Sequence, residues 1–138
     1  MHKVIYLIVA CGVLLSGCNS LEKELKKQQD EVEVVHDEAM AQMDALHNFE
    51  VSYRTKVEEL KKDSLVSAQV FDLKQNMVYD LVKAQDAMMD WMHEYNPSEA
   101  TKENPGAKDY LKSEMRKITA VHKQMFDALE AAKQNDVH

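Results

Sequence analysis

Imidazole and thioether are the side chains here that can do chemistry the commoner residues cannot. His36, Met40, Met43 and His47 follow one another at spacings of four, three and four. On a helix that places all four within about 60° of arc. A second group, Met88-Met89-Asp90-Trp91-Met92-His93, lies further along. Thioether and imidazole are soft to borderline ligands, and thioether selects Cu(I) over harder ions. Methionine also fills helical cores, because it is flexible and polarisable. Two readings therefore stand side by side. One is core packing; the other is a copper site drawn from His36, Met40, Met43, His47, Met88 and Met92. Trp91 admits a sulfur–aromatic contact with its methionine neighbours, the packing of an ordinary core tryptophan, or a shield over bound Cu(I). His93 falls about 140° from Met88 and off the stripe. A haem with His and Met axial ligands would need a wider apolar slot than this core offers.

These residues must be positioned by helices. Between Cys18 and Tyr95 there is neither glycine nor proline, and the chain is rich in Glu, Lys, Gln, Ala, Leu and Met, the good helix formers. Apolar residues recur at helical spacing. One stripe runs Leu21, Leu25, Val32, Val35, Ala39, Met43, Leu46, Tyr53, Val57 and Leu60. A second runs from Val66 to Tyr95, and a third from Leu111 to Ala132. Lys61-Lys62-Asp63-Ser64 offers a boundary: two lysines suit a helix C-terminus, and Asp63 or Ser64 can cap the next helix. A hairpin there buries two stripes against each other; one unbroken helix from Leu21 to Tyr95 would need partners. Asn96-Pro97 forces a second break, since proline cannot continue a helix. Asn104 then caps a last helix with Pro105 at its first position. The expected helices are about 22–62, 64–95 and 107–134, in an all-α, up-down-up three-helix bundle over residues 22–138. Folding about Asp63 sets His36 and Met40 near Met88 and Met92, and folding the last helix back about the Pro97–Gly106 loop brings Met115 to a similar level. That second fold also brings His122 and Met125 level with His47, Met43 and Met77.

Catalysis finds little support. No hydroxyl sits in a glycine-rich elbow, and there is neither a His-Glu-x-x-His pair nor a phosphate-cradling loop. His36-Asp37-Glu38 sets carboxylates beside an imidazole, but neighbours on a helix do not face each other. The residues point to a protein that is not an enzyme.

The N-terminus carries an address. Met1-His2-Lys3 opens it, an apolar run of 12 residues from Val4 to Leu15 follows, and Leu15-Ser16-Gly17-Cys18 closes it. That layout is a secretory signal, and a membrane-spanning helix needs roughly 20 apolar residues. The ending resembles a bacterial lipobox. The resemblance implies a signal peptide at 1–17 that is cleaved, a covalent lipid on Cys18, and a lipidated tether at 18–21. Asn19, rather than Asp, after the cysteine favours the outer membrane of the cell envelope. Cys11 leaves with the signal and Cys18 carries lipid, so no thiol remains for a disulfide or a metal. The formal charge of −7 becomes more negative when Lys3 is lost. So acidic a chain makes a poor nucleic-acid binder and is repelled by anionic lipid, which leaves the acyl anchor as the membrane contact.

The runs His36-Asp37-Glu38-Ala39-Met40 and Met88-Met89-Asp90-Trp91-Met92, with Tyr110-Leu111, resemble a group of small helical lipoproteins of Bacteroidota often labelled "viral A-type inclusion protein". The resemblance spans most of the mature chain and implies a helical lipoprotein; it carries over no catalytic residue. The expectation is a membrane-anchored, non-enzymatic structural or interaction module, with a protein partner or self-association along helical faces. The alternative is a Cu(I)-binding or copper-handling lipoprotein.

Overall fold

Where neither proline nor glycine intervenes, this composition has no local reason to leave the helix. A computed structural model of the chain has that character. It describes the backbone of residues 2–63 and 65–136, and the side chains of residues 20–63 and 65–136. The elements are α1 (His2–Met40), α2 (Met43–Leu60), α3 (Ala68–Glu94), a single 3₁₀ turn (Pro97–Ala100) and α4 (Ala107–Asn135). The class is all-α, with no strand among the described residues.

Burial recurs every seventh residue. Leu25, Val32 and Ala39 on α1 continue as Leu46 and Tyr53 on α2. Lys74, Leu81 and Met88 mark α3, and Leu111, Ile118, Met125 and Ala132 mark α4. A seven-residue step is the signature of helices supercoiled on one another, since a straight helix drifts about 20° per heptad away from it.

The helix expected over 22–62 is two helices. It is interrupted at Ala41-Gln42, where the Gln42 N–H bonds to the Ala39 carbonyl, three residues back, at 2.9 Å. Gln42 itself stays in the right-handed helical region, at φ −92° and ψ −11°. The interruption is thus one tightened turn, not a reversal. With three residues per turn, such a turn winds ahead of the α-helix. That offsets part of the heptad drift and keeps Ala39 and Leu46 on the seven-residue step. No glycine or proline marks it.

The chain reverses after Lys61. Lys61 closes α2 with its N–H on the Val57 carbonyl at 3.1 Å. Asp63 does not cap α3: its Oδ1 accepts from the Leu65 N–H at 2.9 Å, inside the turn. Ser64, the other expected cap, lies outside the described residues. Ser67 takes the role, its hydroxyl accepting from the Val70 N–H, so α3 begins at Ala68 rather than 64. The start of α4 also differs. Asn104 Oδ1 accepts from the Gly106 N–H at 2.9 Å, and its Nδ2 donates to the Glu99 carbonyl at 2.8 Å. Asn104, Pro105 and Gly106 form a turn, and the first helical bond runs from the Tyr110 N–H to the Gly106 carbonyl.

The chain divides into two compact units. Unit 2, Val34–Tyr95 with Arg116–His138, is the up-down-up bundle. Glu50 on α2 meets Gln85 on α3 at 2.9 Å, and His36 on α1 meets Met92 on α3, so these helices are antiparallel. On α3, Glu94, Lys83 and Lys74 pair in turn with Lys117, Gln124 and Asn135 of α4, again antiparallel. At the C-terminus of α4 the last carbonyls have no helical donor. Tyr53 donates its hydroxyl to the Ala132 carbonyl at 2.8 Å, and Lys74 Nζ donates to the Asn135 carbonyl at 2.9 Å. Lys56 pairs with Asp136. Lys74 is only 8% exposed, yet its charge faces the negative end of a helix dipole and lies 5.3 Å from the Tyr53 ring centroid.

Unit 1 comprises Met1–Glu33 and Asn96–Met115. Among its described residues, Leu25, Val32, Ala100, Ala107 and Leu111 are the buried apolar ones. Asn96 starts the 3₁₀ turn by accepting from the Ser98 N–H, and its own N–H donates to the Tyr110 hydroxyl at 2.8 Å. Lys108 and Lys102 form surface ion pairs with Glu24 and Glu22. The segment 18–21, expected as a separate tether, is part of the α1 backbone. Cys18 and the apolar run before it lie outside the residues whose side chains are described.

Candidate functional site

The imidazole of His36 lies between a carboxylate and a thioether. Its Nδ1 is 3.0 Å from Asp37 Oδ1 and its Nε2 is 3.2 Å from Met92 Sδ. The His36 side chain is 25% exposed, so it is half-buried with one edge toward solvent. α1 supplies His36 and Asp37; α3 supplies Met92 and, one position earlier, Trp91. The Trp91 ring is buried and its centroid is 5.7 Å from that of His36. Tyr95 stacks on Trp91 with centroids 4.9 Å apart. The order is Asp37, His36 and Met92, with an aromatic wall beside the imidazole.

Asp37 corrects the view that adjacent helical side chains do not meet. Facing is a property of the Cα–Cβ directions, but Nδ1 is the imidazole nitrogen nearer the backbone. A carboxylate on the next residue can lean back to it along the helix surface.

The other sequence candidates separate. Met88 is fully buried, with Ala84 and Trp91 also in the core of α3. Met40 and Met43 are half-buried, at the ends of α1 and α2 that flank the tightened turn. His47 is exposed, and its Nδ1 lies 3.7 Å from Glu50 Oε2. It belongs to a surface cluster with Glu50 and Arg54 rather than to the thioether layer. Met125 is fully buried and His122 is half-buried beside the Phe126 ring. His93 is exposed.

Glu50 anchors that cluster. Arg54 donates to one of its carboxylate oxygens at 2.7 Å and Gln85 to the other at 2.9 Å. Burial pushes the carboxyl up. The hydrogen bonds from Arg54 and Gln85 and the charges of Arg54 and His47 outweigh it, and Glu50 is held below the ordinary value of 4.5.

Two features escape a reading of the sequence. Tyr95 as the second aromatic layer had a signal, since it stands one heptad after Met88. The capping of α4 by Tyr53 and Lys74 had none, because it joins residues 79 and 61 positions apart. Among the described residues, no three His, Cys, Asp or Glu side chains are grouped to hold a metal ion. Nor is any helix among them long and apolar enough to cross a membrane. No family model, curated protein or solved structure matches this chain.

Proposed function

We propose that this chain is an envelope lipoprotein, anchored to the bilayer by lipid on Cys18, that works as a non-enzymatic helical interaction module. The anchor rests on Leu15-Ser16-Gly17-Cys18. The observation that carries the interaction role is at the turn of the α2–α3 hairpin. Leu65 there is 92% exposed, and Val70 and Leu73, one turn apart on α3, are exposed as well. Apolar side chains grouped in solvent mark a contact surface. Val34, Val51, Tyr79, Met89 and Phe126 are exposed elsewhere on the helices, but Leu65 is the most exposed of the large apolar side chains described. The partner is a second envelope protein or another copy of the chain.

Photo-crosslinking in intact cells tests this. A photoreactive residue at 65, 70 or 73 should give a discrete adduct from the membrane fraction. The adduct from position 70 should disappear when Leu65 and Leu73 are both serine. No adduct from any of the three sites overturns the contact surface. Cys18→Ser should release the protein from the membrane fraction, and its full retention would overturn the lipid anchor.

A further inference from the structure

We propose that His36 Nε2 and Met92 Sδ are the first two ligands of a Cu(I) site in unit 2, with Met40 as the third. The argument begins with protons. Asp37 Oδ1, 3.0 Å from Nδ1, is an acceptor and holds the ring proton on Nδ1. In the neutral imidazole Nε2 then presents a lone pair. What it faces, at 3.2 Å, is the sulfur of Met92, which also offers only lone pairs. Two electron donors therefore point at each other with no hydrogen between them. Either a second ring proton or a soft cation turns that contact into an attraction.

The pair has the form of a metal site. A ligating histidine typically donates its other N–H to a carboxylate, which fixes the tautomer and raises the basicity of the ligating nitrogen. Asp37 stands in that place. Imidazole nitrogen at roughly 2.0 Å and sulfur at roughly 2.3 Å from a shared ion stand about 3.5 Å apart at a tetrahedral angle. The observed gap needs to open by only a few tenths of an ångström. Met92 is an unbranched side chain that gives easily.

The third ligand follows from the antiparallel pairing of the two helices. Moving one turn along α1 from His36 reaches Met40; moving the same way along α3 from Met92 reaches Met88. These two residues form the next layer. Met88 is fully buried, whereas Met40 is half-buried and ends α1 beside the tightened turn. One imidazole and thioethers, with no grouped set of His and carboxylates among the described residues, select Cu(I) over zinc or harder ions. His47 and Met43, the other members of the sequence cluster, are left out.

Trp91 supplies the readout. It is the chain's single tryptophan and its ring adjoins that of His36. The full chain in detergent, with Cys11→Ser and Cys18→Ser so that no thiol competes for the ion, is titrated with Cu(I) delivered as its bicinchoninate complex, while indole fluorescence is followed. One equivalent should transfer to the protein with submicromolar affinity and quench Trp91. Met92→Leu, which conserves core volume, should weaken binding by about 100-fold, and Asp37→Asn by about tenfold. Met89→Leu, at an exposed position on α3, should bind as the unaltered chain does. Circular dichroism checks that each variant is helical, and His36→Gln replaces Met92→Leu if the latter is not. Binding no tighter than micromolar overturns the proposal. So does submicromolar binding that survives both Met92→Leu and His36→Gln.

Discussion

Removing one oxygen from Tyr53 should cost much of this bundle's margin of stability. Tyr53 is fully buried and its hydroxyl donates to the Ala132 carbonyl at 2.8 Å. That carbonyl lies in the last turn of α4, where no helical N–H follows to satisfy it, and Ala132 is fully buried too. Tyr53→Phe keeps the ring and opens no cavity, so the loss is the hydrogen bond alone. Leaving a buried acceptor without its donor costs about 1–3 kcal/mol. At this chain length that lowers the melting temperature by roughly 3–6 °C per kcal/mol. Thermal unfolding followed by circular dichroism measures it. Hydrogen exchange should show the loss first in the final turns of α4. Tyr53→Ala adds a cavity and should cost about 3–5 kcal/mol. A Tyr53→Phe variant that melts with the unaltered chain would refute the reasoning, because the carbonyl would then have a second donor. The same site predicts alkaline behaviour. Burial, with the charge of Asp136 next, raises the Tyr53 phenol above its ordinary value of 10.0. A raised folded value favours the protonated form, so its contribution is whole below pH 10.0 and is lost as pH climbs through the folded value. Tyr53→Phe should remove that part of the alkaline transition.

Two further outcomes test the packing and the electrostatics. Ala39 is fully buried beside the tightened turn, so Ala39→Leu should overpack the seam and destabilise by about 1–3 kcal/mol, measured by urea unfolding; a neutral result would mean that the seam there is loose. Glu50 is held below 4.5, so its stabilising contribution is present above that pH and falls away as pH drops through the lower folded value. Glu50→Gln should therefore narrow the gap in melting temperature between neutral and acidic pH, and an unchanged gap would refute the role given to Arg54 and Gln85.

The turn at Asn96-Pro97 illustrates what local chemistry announces. Proline lacks an N–H and asparagine caps well, so α3 must end near there, and it ends at Glu94. The reversal near Lys61 was legible in outline, but its cap was not. Asp63, Ser64 and Ser67 are all competent caps, and the choice of Ser67 depends on where α3 can dock against α2. The tightened turn at Ala41-Gln42 was not legible at all. Glu38 to Met43 contains only residues that favour an ordinary helix, and the interruption serves the register of Ala39 and Leu46 against other helices.

The candidate site divides along the same line. Helical spacing placed His36 and Met40 on one face and brought the end of α3 level with them, because antiparallel helices of known rise can meet only in that way. Spacing could not choose between His36 and His47, which differ little in angle on an ideal helix. Tertiary contacts did: His36 meets Met92, while His47 lies on the surface beside Glu50.

By itself, then, the sequence determined that the chain is helical, where proline must break it, and which residues form its apolar stripes. These are consequences of each residue's own propensity and of a fixed rise and twist. Tertiary structure alone decided which imidazole meets a thioether, which charge can be buried as Lys74 is, and which side chains finish α4. Those outcomes join residues 56, 61 and 79 positions apart, and no local preference encodes a contact over such a distance.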